Sequence, residues 1–181
     1  KEIIEKRITT DRQEIHKIHG RDRNVRTIKT PVIDEDDQIV GVLGVSWDIT
    51  DEVQALRDLE WERHLFKTFM DHVPENIYFK DQQSRFVRVN RAFVRYFKFD
   101  KEKDIIGKTD ADLFAPEHAE RALQDEQLVM KTGQPIMKEE REVWPDRADT
   151  WVSTVKLPLY DKKGGLIGTY GLSNNITERV R

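Results

Sequence analysis

Hydrophobic and polar positions along this chain follow two different periods. Residues 152–160 and 166–173 are rich in β-branched and aromatic side chains, and the turn-forming sequence 161–165 separates them, which is the pattern of an antiparallel hairpin. A similar arrangement surrounds the acidic turn 34–37. Residues 51–72, by contrast, contain no glycine or proline and place apolar residues three and four apart, which predicts a helix.

The two predicted hairpins are copies of one another. A shift of 127 residues aligns residues 25–31 with 152–158, and the register continues without a gap to Val53 and Val180. Eleven of these twenty-nine aligned positions are identical. Because an internal repeat constrains the architecture before any single motif does, the chain is predicted to contain two related modules.

The segment before the second hairpin adds helices and three more strands. Asn90 is a predicted helix N-cap, Pro116 is suited to the first turn of a longer helix, and Gly133 is suited to its C-terminal cap. The predicted strands are residues 76–80, 85–89 and 139–144. The order is therefore two strands, short helices, a long helix and three strands.

Both copies end in a short motif that leads into a helix, Asp48-Ile49-Thr50 in the first and Asn175-Ile176-Thr177 in the second. A strand, a turn, a glycine-bearing strand and an Asp-Ile-Thr motif resemble the end of a PAS domain. Asn175 departs from the family's Asp, although its side chain still accepts a hydrogen bond. The resemblance implies a tandem sensory PAS repeat from a prokaryotic signalling protein.

The resemblance also implies an α+β fold and a division of the chain. We expect a five-stranded antiparallel sheet in the order 2-1-5-4-3, with short helices and one long helix on one face. Residues 1–50 are expected to be the three-stranded C-terminal half of a first PAS domain, 51–72 a connecting signalling helix and 73–181 a complete second domain. The incomplete sheet needs a cover, either further sequence, a partner subunit or a neighbouring domain. The alternative is that this half lies on the second module.

The connecting helix carries a heptad-like seam. The seam consists of Leu56, Leu59, Arg63, Phe66 and Met70, and it continues to Val73. This spacing favours a homodimer through paired helices, with Arg63 as a polar interruption that fixes the register. The alternative is an amphipathic helix packed on its own domain.

The resemblance implies a ligand pocket between the concave face of the sheet and the long helix. Along the predicted strand 152–160, the odd-numbered residues share one face and the more polar Val152, Thr154 and Lys156 share the other, so the odd-numbered face is predicted to point inward. These inward positions are Trp151, Ser153, Val155 and Leu157. Further predicted lining positions are Phe86 or Val87, Phe93, Phe97, Leu123, Val129 and Thr169. Because most are apolar, a filled core is the alternative to a ligand cavity.

Composition and histidine spacing narrow the cofactor classes. The chain has no cysteine, so it offers neither thiolate metal sites nor the reactive cysteine of light-sensing flavin domains. In haem-binding relatives the ligand histidine would fall at Ala122, whereas His118 lies a full turn earlier, so haem is disfavoured. His16 and His19 point to opposite sides of a strand and predict no metal site. No cofactor is predicted, and the small-molecule ligand is unknown.

Charge and motifs also limit the activity. A net charge of −3 and a pI near 6.0 argue against nucleic acid as a partner. No nucleophile elbow, phosphate loop or phosphoacceptor-histidine motif is present, so no enzymatic activity is predicted for this fragment. The carboxylates Glu139, Glu140 and Glu142 are interpreted as a solvated strand edge.

These observations predict a module for signal input. It would sense a signal or a small ligand and relay it through the Asp48–Thr50 and Asn175–Thr177 corners to an effector domain of the same polypeptide, a histidine kinase ahead of a diguanylate cyclase. The alternative is a ligand-free dimerisation module. A homodimer would form through the connecting helix or the PAS sheet. No window is long and apolar enough to cross a membrane, so a cytoplasmic protein without direct membrane contact is expected.

Overall fold

The computed structural model describes residues 2–180, so Lys1 and Arg181, the outermost residues of the predicted first and last segments, lie outside the described residues. The chain divides into two compact units, Lys1–Leu65 and Phe66–Arg181. The division falls within a continuous helix, α2, which spans Thr50–His72. Within residues 2–180 no helix has the length and apolarity needed to cross a bilayer.

The first unit is a three-stranded antiparallel sheet. A short helix, α1 (Glu2–Lys6), precedes β1 (Thr10–Ile18), β2 (Arg21–Ile33) and β3 (Ile39–Asp48). The strands lie in the order β1-β2-β3. Many large apolar side chains of these strands remain exposed, which leaves the sheet without a full hydrophobic core of its own.

The second unit is an α+β fold around a five-stranded antiparallel sheet. Its strands are β4 (Asn76–Asp81), β5 (Phe86–Val89), β6 (Ile136–Glu142), β7 (Thr150–Tyr160) and β8 (Leu166–Asn175). Its helices are α3 (Arg91–Tyr96), α4 (Pro116–Thr132), α5 (Thr177–Val180) and two single 3-10 turns, Glu102–Asp104 and Asp110–Asp112. The strand order is β5-β4-β8-β7-β6, which reads 2-1-5-4-3 when the strands are counted within this unit.

The helix ends follow the capping chemistry of the sequence. The Asn90 side chain accepts the Phe93 N–H at 3.0 Å and so caps α3. Pro116 occupies the first turn of α4, and Gly133 ends that helix with a left-handed φ of 67°, as predicted. Strand β6 begins three residues before its predicted start and ends two before its predicted end, at Glu142.

The internal repeat is a repeat of hydrogen-bond register. Val25 lies opposite Asp48 in the β2–β3 hairpin, and Val152 lies opposite Asn175 in the β7–β8 hairpin. The same shift of 127 residues therefore converts the first pair into the second. Each hairpin also contains a register irregularity at the equivalent point. The sequence repeat therefore specifies the same ladder twice, including its bulge.

The turns of both hairpins use one aspartate in the same way. Asp161 Oδ1 accepts the N–H groups of Lys163 and Gly165, both at 2.8 Å. Asp34 makes the equivalent bonds in the first hairpin, and Asp81 does so in the turn between β4 and β5. A side-chain acceptor that pairs with successive backbone N–H groups closes a tight turn without help from the rest of the fold.

Two glycines that align in the repeat have different surroundings. Gly168 has a φ of 156°, and a Cβ there would overlap the backbone carbonyl of Lys80 on the neighbouring strand. A Cβ on Gly41 would meet nothing within 4 Å. The close backbone approach expected for a strand glycine therefore applies to Gly168 and not to Gly41.

The apolar core of the second unit lies on the helix side of its sheet. Aromatic side chains from β4, β5 and α3 pack edge to face at ring-centroid distances of 5.2–6.1 Å. Together with two aliphatic side chains, these rings form the buried hydrophobic cluster. Its members are Tyr78, Phe86, Val89, Phe93 and Ile105. This cluster forms one wall of a small cavity between the sheet and α4.

Candidate functional site

A small cavity lies between the inner face of the second sheet and α4. Its volume is about 30 Å³, enough for about two water molecules. Its lining is both aromatic and charged. The lining residues are Tyr78, Phe86, Phe93, Phe97, Asp110, Phe114, His118, Ala122, Glu126, Glu140, Glu142, Thr154, Lys156 and Ser173. The interior of this unit is therefore a polar site and not a purely apolar core.

The structure brings some of the predicted pocket residues together. Phe86, Phe93 and Phe97 line the cavity. Val129 and Thr169 are fully buried nearby but do not line it. Leu123 is 41% exposed and lies outside the cavity, because it projects from a different face of α4 than Ala122 and Glu126.

The prediction of which face of β7 points inward is wrong. The buried positions on this strand are Val152, Thr154 and Lys156, and the odd-numbered positions lie on the other side. Consequently the predicted pocket residues Trp151, Ser153 and Val155, with Leu157, do not line the cavity. The prediction assumed that the more apolar face points inward. Here the polar face does, because α4 presents carboxylates to it.

The interpretation of the carboxylates on β6 as a solvated edge is also wrong for two of the three. Glu140 and Glu142 are buried, while Glu139 is exposed. Glu142 Oε2 accepts hydrogen bonds from the Tyr96 hydroxyl at 2.6 Å and the Thr150 hydroxyl at 2.7 Å. Burial raises the pKa of Glu142, and these two hydrogen bonds only partly oppose the rise.

A buried lysine with two carboxylate partners is the strongest electrostatic feature of the cavity wall. Lys80 Nζ lies 2.5 Å from Glu126 Oε1 and also pairs with Asp110. The Phe86 ring lies under the ammonium, with its centroid 4.5 Å away. Burial alone would lower the pKa of Lys80, but the two carboxylates outweigh it and raise the pKa. Lys80 is therefore charged inside the fold.

Glu126 is only partly paired in this cluster. Its side chain is 1% exposed, and its Oε2 atom has no hydrogen-bond partner. Burial raises the pKa of Glu126, Lys80 opposes this, and the second carboxylate, Asp110, adds to it. The Ser84 hydroxyl lies close enough to lower this pKa slightly but makes no hydrogen bond of normal geometry. One lysine thus neutralises only one of two buried carboxylates.

A second charged network joins β7 and β6 to α4. Lys156 Nζ lies 2.9 Å from Asp125 Oδ2, and Lys138 Nζ lies 2.5 Å from the same oxygen. Lys138 also lies 3.1 Å from Glu140 Oε2. Burial raises the pKa of Asp125, but the two lysines outweigh it and lower the pKa overall. This network fixes α4 to the polar face of the sheet.

His118 and Ala122, the two positions considered for haem, both line the cavity. His118 Nδ1 lies 3.3 Å from the Arg141 carbonyl oxygen, and its ring packs against Phe114. Burial lowers the pKa of His118, although Glu140 and Asp110 oppose the change. Among residues 2–180, no group of three or more His, Cys, Asp or Glu side chains is arranged to hold a metal ion. The disfavoured haem and flavin assignments stay predictions.

An aromatic cluster with one cation closes the other end of the site. Trp144 is buried, and its ring packs against Phe114 and Phe97 at centroid distances of 4.7 and 5.2 Å. The Arg147 guanidinium lies 3.3 Å from the Trp144 ring centroid. The indole N–H donates to the Thr150 hydroxyl at 2.9 Å. Trp144 therefore contacts both the aromatic cluster and Thr150, which also donates a hydrogen bond to Glu142.

The two strand-to-helix corners have the same hydrogen bonds. In the first, Thr50 Oγ1 accepts the Asn24 N–H and the Thr50 N–H donates to Asp48 Oδ1, both at 2.9 Å. The second corner repeats both bonds at 2.9 Å, with Thr177 bonded to Trp151 and Asn175. The buried Ile49 and Ile176 each donate to a strand carbonyl at 2.8 Å. The Asn at 175 thus replaces Asp without changing the corner.

The predicted helix seam is mostly open. Leu56, Leu59, Arg63 and Phe66 are exposed on α2, whereas Met70 is 4% exposed. The guanidinium of Arg88 lies 4.8 Å from the Phe66 ring centroid. Packing on the second unit therefore accounts for the last turns of α2, and the preceding turns keep their apolar side chains in solvent.

Sequence reasoning missed Lys80, Asp110 and Glu126. One signal was present for Glu126: it occupies the same helical face as the buried Ala119, Ala122 and Val129, so its position on α4 is that of a core residue. A carboxylate on an apolar helix face requires a buried partner. Lys80 lies two residues after Tyr78 on β4, so it shares the inward face of that strand and supplies the partner.

Glu126→Gln is expected to flatten the pH dependence of stability. A raised carboxyl pKa stabilises the folded state below the unfolded value near 4.5, and this contribution is lost as pH rises through the folded pKa. The glutamine keeps an acceptor for Lys80 but does not ionise. The free energy of unfolding of the variant relative to the unsubstituted protein should therefore increase between pH 5 and pH 8, measured by urea unfolding.

The opposing titration of His118, whose pKa is lowered by burial, is present in both proteins and largely cancels from this difference. Glu117→Gln on the same helix is the matched control, since Glu117 is exposed. It should leave the pH dependence unchanged. Parallel pH curves for Glu126→Gln and the unsubstituted protein would contradict the assigned pKa direction.

Comparison with known proteins places the second unit in a sequence family. The family model described as PAS fold matches residues 70–181. The chain is 25% identical over 122 residues to the aerobic respiration control sensor protein ArcB of Escherichia coli K12, covering 67% of this chain and 16% of ArcB. It is 30% identical over 113 residues to the methanogenesis regulatory histidine kinase FilI of Methanothrix harundinacea, covering 62% of this chain and 12% of FilI.

A solved PAS domain from Colwellia psychrerythraea has the same fold. It superimposes with a TM-score of 0.56 at 19% identity, covering 64% of this chain and 98% of that domain. The two curated relatives are much longer than the matched region, so the similarity concerns one module within each of them. The matched region contains the cavity, α4 and the second strand-to-helix corner.

Proposed function

This chain belongs to the PAS-fold family, and we propose that it is a sensory module that relays a signal through its helices to an effector domain. Sequence similarity to sensor proteins and to a histidine kinase supports a role in signalling. The module itself has no catalytic part in this proposal. Its output is a change in the helices that leave its sheets.

The observation that carries the proposal is the repeated corner between sheet and helix. At each corner a threonine hydroxyl and its N–H tie the start of a helix to the preceding strands. After the first corner α2 continues for 23 residues without a break. A helix held at its first turn transmits a change in the sheet, whereas a flexible linker would absorb it.

The effector we propose is a histidine kinase of the same polypeptide. FilI is named as a histidine kinase, and the match covers 12% of its length. The match to ArcB, which is named as a sensor protein, covers 16%. Modules that occupy so small a part of a signalling protein act on domains beyond themselves, and that is the arrangement proposed for this chain.

The signal we propose acts on the polar cavity. Its volume of about 30 Å³ is far below the roughly 300 Å³ of a typical small-molecule pocket, so an organic ligand requires α4 to move away from the sheet. The buried charges of Lys80, Glu126 and Lys156 hold α4 in place. A ligand or proton that alters these ion pairs shifts α4. The sheet passes this shift on to the two strand-to-helix corners.

A second candidate is a dimerisation module that binds no ligand. It is favoured by the exposed apolar side chains of Leu56, Leu59 and Phe66 on α2, which a second copy of the helix would cover. In that case the partner is another copy of the chain, paired through α2 or through the sheet. A fusion to a histidine kinase core separates this candidate from the relay.

The relay is tested by fusing the chain to the phosphoacceptor helix of a histidine kinase catalytic core, so that α5 continues into it. Thr177→Val removes the acceptor of the Trp151 N–H while keeping the side-chain shape. Because the Trp151 N–H then lacks its hydrogen-bond acceptor, the autophosphorylation rate is expected to change by about fivefold. The measurement is incorporation of labelled phosphate from ATP.

Thr177→Ser keeps the hydroxyl and is the matched control, so its rate should equal that of the unsubstituted fusion. Inserting one to seven residues after Val180 should change the rate with helical periodicity, because each residue rotates the output helix by about 100°. Rates that are insensitive to both changes would overturn the relay. A fusion that is dimeric by sedimentation yet insensitive in this way would favour the dimerisation module.

A further inference from the structure

A groove on the surface of the second unit is separate from the central cavity. It has a volume of about 310 Å³, within the range of small-molecule pockets. It lies between the β4–β5 turn, the 3-10 turn Asp110–Asp112 and the first half of α4. The lining residues are Gln83, Ser84, Thr109, Asp110, Ala111, Pro116, Ala119, Glu120 and Leu123. Asp110 lines both spaces and so separates the groove from the cavity.

A buried hydroxyl in the groove wall lacks a partner. Ser84 is 3% exposed, and its Oγ atom makes no hydrogen bond of normal geometry, although it lies close to the Glu126 carboxylate. Its backbone is fixed in the β4–β5 turn, where the Ser84 N–H donates to the Asp81 carbonyl at 3.0 Å. An unsatisfied buried polar atom on a rigid turn is unusual in a folded protein and indicates a missing partner.

The charge around this hydroxyl is negative. Asp110 shares Lys80 with Glu126, so two carboxylates face one ammonium. Glu120 adds a further carboxylate at the exposed side of the groove. None of the described residues that line the groove is cationic. A bound cationic group that donates hydrogen bonds would compensate the negative charge of this wall and would bond to the Ser84 oxygen.

One side of the groove is apolar. Pro116, Ala119 and Leu123 follow one another at spacings of three and four along α4 and form a continuous strip. Leu123 is 41% exposed despite its size. The apolar body of a ligand would cover this side chain while its polar end reaches Ser84 and Asp110.

We propose that this groove binds a small organic amine: a protonated primary ammonium group directed at Ser84 and Asp110, with an apolar body against Pro116, Ala119 and Leu123. The ammonium donates its hydrogen bonds to the Ser84 hydroxyl oxygen and to the Asp110 carboxylate, whose side chain is 12% exposed. Glu120 attracts the same charge from the rim. The proposal is independent of the relay, since it concerns binding at a different surface.

An anionic ligand does not fit the same groove. The start of α4 would attract an anion through its free N–H groups, but Pro116 has none, and the His118 and Ala119 N–H groups donate to the Ala115 carbonyl at 3.0 and 3.1 Å. The carboxylates of Glu117 and Glu120 oppose an anion further. A neutral alcohol would satisfy Ser84 but leave the negative charge uncompensated.

The test is a titration of the full chain with three molecules of the same shape: phenethylamine, 2-phenylethanol and phenylacetate. Binding is followed by amide chemical shifts in two-dimensional NMR and by calorimetry. We expect phenethylamine to bind with a dissociation constant of about 1 mM or below, and 2-phenylethanol to bind about tenfold more weakly. Phenylacetate should not bind. The shifted amides should include Ala111 and Ala119.

Two variants assign the binding to this groove. Ser84→Ala should weaken phenethylamine binding about fivefold, and Glu120→Gln about threefold, because one loses a hydrogen-bond acceptor and the other an exposed charge. Glu117→Gln, a change of the same kind on the same helix outside the groove, should leave the affinity unchanged. Glu120 is exposed, so its substitution leaves folding intact even if Ser84→Ala does not.

Three results would overturn the proposal. Equal affinity for phenethylamine and 2-phenylethanol would show that the positive charge of the ligand does not contribute to binding. Amide shifts centred on Phe93 and His118 would place the amine in the central cavity. Unchanged affinity in Glu120→Gln together with weakened affinity in Glu117→Gln would place it elsewhere on α4. Each of these outcomes is independent of the kinase fusion, whose rate responds to Thr177.

Discussion

Replacing Lys80 with methionine is expected to destabilise the second unit by about 3–5 kcal/mol, because the substitution leaves Asp110 and Glu126 facing each other in the interior without a counter-charge. Methionine fills the same space over the Phe86 ring, so the loss of stability reports the charge and not the volume of the side chain. Urea unfolding followed by circular dichroism measures the change. A loss of this size lowers the melting temperature by about 15 °C or more.

The control for Lys80→Met is the same substitution with both carboxylates neutralised. The triple variant Lys80→Met, Asp110→Asn, Glu126→Gln has no buried charge left to solvate and should recover most of the lost stability. Lys163→Met in the exposed β7–β8 turn should change the free energy of unfolding by less than about 0.5 kcal/mol. A triple variant as unstable as the single one would contradict the electrostatic explanation.

Gly168→Ala is expected to destabilise the second unit by about 3 kcal/mol or more. The new methyl group would overlap the Lys80 carbonyl, and both clashing groups belong to paired backbone strands that cannot move apart without breaking the ladder between β4 and β8. The φ of 156° adds strain for any residue with a Cβ. The same urea titration measures the effect.

The internal repeat supplies a matched control for this substitution. Gly41 occupies the equivalent position of the first hairpin, where a Cβ meets nothing within 4 Å. Gly41→Ala should therefore change stability by less than about 0.5 kcal/mol. Comparable losses in both variants would mean that the strand position itself, and not the neighbouring strand, requires glycine.

Local chemistry made much of the fold predictable. The α+β fold class and its helix caps at Asn90 and Gly133 follow from turn residues, alternation and capping preferences that act over a few residues. Helix α2 begins one residue before the predicted start and ends at the predicted His72. The repeat added the pairing register, because two similar sequences related by 127 residues form the same ladder.

The interior was less predictable because its contacts are long-range. Alternation along β7 identifies two faces but does not say which face is buried. Lys156 points inward because Asp125 lies on α4, 31 residues away in sequence. Lys80 is likewise paired with Glu126, 46 residues away. Hydrophobic patterning ranks such side chains as surface residues. A carboxylate on the apolar face of a helix is the sequence feature that contradicts this ranking.

The surroundings of Trp144 give the molecule an optical reporter of its own interior. Trp144 is buried beside an arginine and two phenylalanines, whereas Trp47, Trp61 and Trp151 are exposed to solvent. Dissolved iodide is therefore expected to quench the emission of those three and to leave the emission of Trp144. Because its indole shares Thr150 with the buried Glu142, a rearrangement of the cavity alters this residual fluorescence without any attached label.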